Sequence, residues 1–242
     1  MPRARILVLA IAITLSGCTA NQTAGQVGDG RALYDQAIDR SAVYQEANVR
    51  RLAPLAYPVR ALSLTGNTAW AAGKEGQKVT IDSPYGLWIS VEPELQAICR
   101  TYPRDQVIDR LHQLLGLKPA TDSDRSARFI RFTIEEQKTG PAVTGVFRPC
   151  ANPDPTATQC GNQITTKPEQ AAYVSWFANQ MVFSYKRDAS MGGTGYPWTR
   201  LGYTYNWDPA AADIRGVQEY VVPDKTVVTV TEIVTPEDYC AP

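Results

Sequence analysis

Histidine is nearly absent from this chain: among 242 residues there is one, His112. Much hydrolytic chemistry near neutral pH uses a histidine base, so this scarcity narrows the enzymatic options. Cysteines are few and none are spaced as Cys-x-x-Cys; with a single histidine beside them, no metal site is expected. There is no Gly-x-Ser-x-Gly elbow and no Gly-x-x-x-x-Gly-Lys loop, which removes two common signatures, of serine hydrolases and of phosphate-cradling nucleotide sites. No apolar run reaches the roughly 20 residues that span a bilayer. An excess of one charge is missing too, since 24 Lys+Arg face 24 Asp+Glu. The basic residues are scattered, so no nucleic-acid partner is expected. Nothing calls for a cofactor.

What is present begins at the N-terminus. Arg3 and Arg5 precede an apolar stretch from Ile6 to Leu15, which is followed by small residues. This order makes an export signal. Leu15-Ser16-Gly17-Cys18 resembles the lipobox of bacterial lipoproteins. The resemblance implies that residues 1–17 are a signal peptide and that Cys18 is lipidated and heads the mature chain. The expected partner at this end is therefore a membrane, reached by a lipid anchor. Thr19 in place of Asp implies the outer membrane, facing the periplasm, under the usual sorting pattern of that family. Residues 18–30, small and glycine-rich, read as a flexible tether, and residues 31–242 as one globular domain.

Cys99, Cys150, Cys160 and Cys240 form an even set in a chain bound for an oxidising compartment, so two disulfides are expected. Three pairings are open. Cys150–Cys160 with Cys99–Cys240 is favoured, because the turn-rich segment between Cys150 and Cys160 closes a short loop easily.

Apolar periodicity predicts an amphipathic helix from Arg31 to about Leu52, and strands at 61–65, 78–81 and 86–91. A short helix carries Cys99, and a second helix runs from about 104 to 115 with Gly116 as its C-terminal cap. Ala127–Glu135 reads as a strand with Val143–Phe147 as its partner across a turn at Thr139-Gly140. A helix from Pro168 to about Lys186 gathers Tyr173, Val174, Phe177, Ala178, Met181 and Tyr185 into one core-facing stripe. Met191–Gly195 reads as a loop, Tyr196–Trp207 as a strand, and Thr226–Val234 as the last strand. The expected fold class is α+β: a small antiparallel sheet with three to four packed helices, braced by disulfides.

Candidate functional residues are sparse. His112 reads as a surface or boundary residue of its helix. Glu92 with Glu94, and Glu135 with Glu136, are the carboxylate pairs a glycan-cleaving enzyme would need, but adjacent strand residues face opposite ways and Glu94 suits a helix N-terminus. Tyr196, Trp198, Tyr203, Tyr205 and Trp207 form an aromatic segment. If extended, it sets Leu201, Tyr203, Tyr205 and Trp207 on one face, either as core or as a ladder for sugars. Trp176 and Phe183 lie opposite the core stripe of their helix and need cover, from the same domain or from a partner. The segments 196–205, 114–119 (Leu-Leu-Gly-Leu-Lys-Pro) and 147–150 (Phe-Arg-Pro-Cys) loosely resemble exported bacterial proteins of no assigned activity, a resemblance that brings no catalytic residue. The resulting expectation is a non-enzymatic envelope lipoprotein that binds or scaffolds another envelope component, a protein or the cell wall. A periplasmic cell-wall hydrolase and a glycan-binding module using 196–207 are the alternatives.

Overall fold

The computed structural model describes residues 25–136, 145–164, 170–186 and 195–242. In chain order these form α1 (Gly25–Ala42), β1 (Val59–Thr65), β2 (Lys78–Thr80), β3 (Leu87–Val91), α2 (Glu94–Cys99), α3 (Val107–Leu114), β4 (Arg128–Ile134), α4 (Ala171–Tyr185), β5 (Tyr203–Tyr205), β6 (Arg215–Val222), β7 (Val227–Val234) and α5 (Pro236–Tyr239). The strands make one seven-stranded sheet in the order β2-β7-β4-β1-β3-β6-β5. Every neighbouring pair is antiparallel.

This corrects the expected small sheet with three to four packed helices. The sheet dominates, and among the described residues only α1, α3 and α4 reach eight residues. The main cause is β6, which has no counterpart in the sequence reading. It lies between β3 and β5 and is buried on both faces, so Val217, Tyr220, Val221 and Val222 do not alternate with polar residues as a half-exposed strand would.

One face of the sheet carries an apolar cluster drawn from six strands, including Val79, Val228, Ile130, Val59, Ile89 and Tyr220. The cluster runs across the sheet from β2 to β6. On the other face Leu62, Phe129 and Val217 pack under α2, α3 and α5 through Leu95, Val107, Leu111 and Tyr239. Within that layer Cys99 is bonded to Cys240, and a second disulfide joins Cys150 to Cys160. Gly116 closes α3 with φ of 67°, a left-handed position that suits glycine.

Other boundaries differ from the sequence reading. α1 ends at Ala42, not near Leu52. Buried Leu52 instead donates its N–H to the Thr158 carbonyl, and Leu55 donates to that of Pro155, so this stretch docks on the disulfide loop. Phe147 pairs with Val221 of β6 through N–H···O distances of 3.0 and 2.9 Å, and β4 pairs with β1 and β7 instead. Val143, the turn at Thr139-Gly140, Pro168 and loop residues 191–194 lie outside the described residues, as does Cys18. In α4, Tyr173 and Phe177 are buried as expected, but Ala178 is exposed.

Candidate functional site

β1 and β3 pair only at Ala61–Val91 and Leu62–Ser90. Where they part, a cleft of about 440 Å³ opens, with Ser63, Leu64 and Thr65 on one side and the stretch Gly86–Ser90 on the other. Its remaining walls come from the end of α3 (Leu115–Leu117), from α4 (Gln180, Ser184), and from Tyr196–Trp198, Thr204 and Tyr205. Gly86 shapes one wall. Its φ is 79°, and a Cβ there would stand 2.4 Å from Val221 Cγ1, so the backbone can pass this close to β6 only with glycine.

Glu219 of β6 reaches this cleft. It is paired in register with Ser90 and is 7% exposed. Its Oε1 has no hydrogen-bond partner within the protein, and neither does Nε1 of Trp198, which also lines the cleft. Burial pushes the Glu219 pKa up to about 8, while the nearby Trp198 indole N–H and the charges of Arg148 and Arg50 pull against it. The carboxyl is therefore mostly protonated at neutral pH. The other polar side chains of α4 and β5 in the walls are already bonded. Ser184 Oγ lies 3.1 Å from Gln180 Nε2, and Thr204 Oγ1 donates to the Leu114 carbonyl at 2.6 Å.

An aromatic cluster backs one end of the cleft. Trp198 meets Trp88 edge-on at 6.1 Å, Trp176 at 6.2 Å and Phe177 at 5.0 Å between ring centres. Trp176 is half-buried here and donates its indole N–H to the Tyr85 carbonyl. Phe183 is 57% exposed and meets the ring of Tyr85, itself 67% exposed, at 6.4 Å. Tyr196 is 47% exposed, and its N–H donates to Ser184 at 2.6 Å, one position along α4 from Phe183. Tyr85 and Phe183 thus form an exposed pair, and Tyr196 is a separate exposed ring in the wall of the cleft.

The rest of the aromatic segment is core. Trp198, Tyr203, Tyr205 and Trp207 are all buried. Arg200 and Gly202 have φ of 57° and 77°, which breaks the extended chain, so the rings do not form one ladder. Leu201 and Tyr203 pack with Leu52 and the Cys150–Cys160 bridge, whereas Tyr205 and Trp207 pack with Tyr34, Ala37 and Ile38 of α1. That burial places these four rings in the core rather than in an exposed ladder, and leaves Tyr196 as the exposed ring of the segment.

His112 is buried, not at the surface; its Nδ1 sits 2.7 Å from the Lys118 carbonyl and ties down the loop after α3. Glu92 pairs with Arg131 at 2.8 Å, and Glu94 pairs with Arg50 at 3.3 Å while accepting the Gln218 N–H at 2.9 Å. Glu135 and Glu136 lie exposed beyond the end of β4. None of the four lines the cleft.

The sequence reading passed over Arg148 as well as Glu219. Arg148 is fully buried, on the face of the sheet opposite Glu219, with its guanidinium 4.6 Å from the centre of the Tyr220 ring. It donates to the carbonyls of Ala53 and Pro155 at 3.0 and 3.1 Å and to Tyr220 Oη at 3.0 Å. This buried cation pins the disulfide loop and the 52–55 stretch to β6. Among the described residues, no group of three or more His, Cys, Asp and Glu could hold a metal ion, and no helix is long and apolar enough to cross a membrane.

Compared with family models, with curated proteins and with solved structures, the chain matches none.

Proposed function

We propose that this protein is a non-enzymatic lipoprotein of a bacterial envelope, held at the outer membrane by lipid on Cys18, facing the periplasm, and binding another envelope protein. The observation that carries the binding role is the exposed pair Tyr85 and Phe183, with Tyr196 exposed in the wall of an apolar cleft. Clustered exposed rings with a polar surround are the usual mark of a protein–protein contact. Two disulfides agree with an oxidising compartment. The box at Leu15–Cys18 supplies the anchor, and acyl chains hold a protein with about 0.8 kcal/mol per buried methylene. Glycan cleavage would need a second carboxylate about 5–9 Å from the first. Glu219 has no such companion among the cleft residues.

Two measurements in cells test the reading. Cys18→Ser should move the protein from the membrane to the soluble fraction; continued attachment refutes the anchor. A photo-crosslinking residue in place of Phe183 should give one discrete adduct with an envelope protein, while the same probe in place of exposed Lys78 should give none. Equal crosslinking at both sites would remove the docking surface.

A further inference from the structure

We infer that the cleft between β1 and β3 is a binding site for a small, neutral, flat apolar molecule carrying a single hydroxyl or carboxamide. The cleft is about 440 Å³, inside the range of about 300–1,000 Å³ typical of small-molecule sites. Its walls combine the half-buried ring of Trp88 and the exposed ring of Tyr196 with the half-buried side chains of Leu64, Leu87 and Leu115, an apolar lining that suits a flat ring system. The chemistry of the head group follows from what the walls leave unbonded. Ser184 and Thr204 are already engaged. Glu219 Oε1 is without a donor and Trp198 Nε1 without an acceptor, side by side in the same wall. A buried polar group without a partner is costly, and native proteins rarely keep one without a reason.

A hydroxyl or carboxamide both donates and accepts, so it can bond the Glu219 carboxyl, which turns about its last bond to present either oxygen, and the indole beside it. An anionic head would have to leave water for a mostly apolar cleft and would be repelled by Glu219 whenever that carboxyl ionises. An ammonium could not accept from the indole and would meet the fields of Arg148 and Arg50, which already act on Glu219. The site therefore selects for neutrality as well as shape. This inference does not depend on the lipid anchor or on a protein partner.

The test uses the purified full-length chain with its disulfides intact. Its five tryptophans give separate indole N–H resonances, those of Trp88 and Trp198 being assigned by Trp88→Phe and Trp198→Phe. Titration with 2-naphthol should shift these two signals saturably and leave the others in place. Naphthalene, which lacks the hydroxyl, and 2-naphthoate, which is anionic, should bind at least about tenfold more weakly. Glu219→Leu should weaken 2-naphthol by a similar factor, while Glu219→Gln should retain it. Absence of a saturable shift with 2-naphthol, or equal binding of naphthalene by the unaltered protein, overturns the proposal even if the leucine variant does not fold.

Discussion

Replacing Glu219 by glutamine should stabilise the protein at neutral pH and flatten its response to pH. An acid whose folded pKa lies above its unfolded value keeps its proton longer in the folded state. The folded state is then favoured at low pH and loses that advantage as pH rises between the two values. For Glu219 the window runs from 4.5 to about 8. At about 1.4 kcal/mol per pH unit, the whole window is worth on the order of 4–5 kcal/mol, and about 3 kcal/mol of this has been lost by pH 7. Glutamine has nearly the same shape and does not titrate, so it avoids the loss, although its second amide hydrogen costs about 1 kcal/mol if it finds no acceptor. The net gain at pH 7 is then about 2 kcal/mol, or roughly 4–8 °C in melting temperature for a domain of this size. Urea denaturation of both proteins at pH 5, 6, 7 and 8 measures this directly. The unaltered protein should lose stability with pH relative to Glu219→Gln, and His112, common to both, cancels in the difference. Parallel curves across this range would show that Glu219 is ionised in the folded protein and would refute the argument.

The two disulfides should contribute unequally. The Cys99–Cys240 bridge spans 141 residues and the Cys150–Cys160 bridge 10, so the chain-entropy model gives losses of about 5 and about 3 kcal/mol when each pair is changed to serine, read as urea midpoints. Arg148→Ala removes a buried cation together with its hydrogen bonds to Ala53, Pro155 and Tyr220, so it should cost about 3–5 kcal/mol. The same change should make the 150–160 loop the first site of limited proteolysis; a fall of less than about 1 kcal/mol would show that the loop holds itself.

Legible in the sequence were β4, β7 and α3, whose apolar positions recur with a period near 2 or 3.6, and β1 and β3, short apolar runs bounded by turn residues, although β1 packs on both faces; the even cysteine set announced the bridges. β6 was not legible, because an interior strand buried on both sides has no alternation to read. α1 was drawn too long because Tyr44 and Leu52 continue a helical spacing by coincidence. Their burial comes from contact with Leu201, Tyr203 and the disulfide loop. The aromatic run after Gly195 promised one extended face, and the left-handed turns at Arg200 and Gly202 divide it. Glu219 was invisible as a site because a lone acid is normally a surface residue. Its signal was its setting, an acid between Val217 and Tyr220-Val221-Val222. His112 had a similar signal, since it shares a helical face with Ile108 and Leu111, which are both buried.

The strand order also governs when the molecule can assemble. β7 begins at Val227 yet is wedged between β2 and β4, and among the described residues β6 is the strand beside β5. A ribosome delivers β1, β2, β3 and β4 long before β6 and β7, the strands that lie beside β3 and β4. Nascent β4 and β3 must therefore wait with unsatisfied edges until nearly the last residue is made, and pairings this remote in sequence form slowly. Such a polypeptide stays threadable through a narrow pore for most of its synthesis, and sticky for just as long.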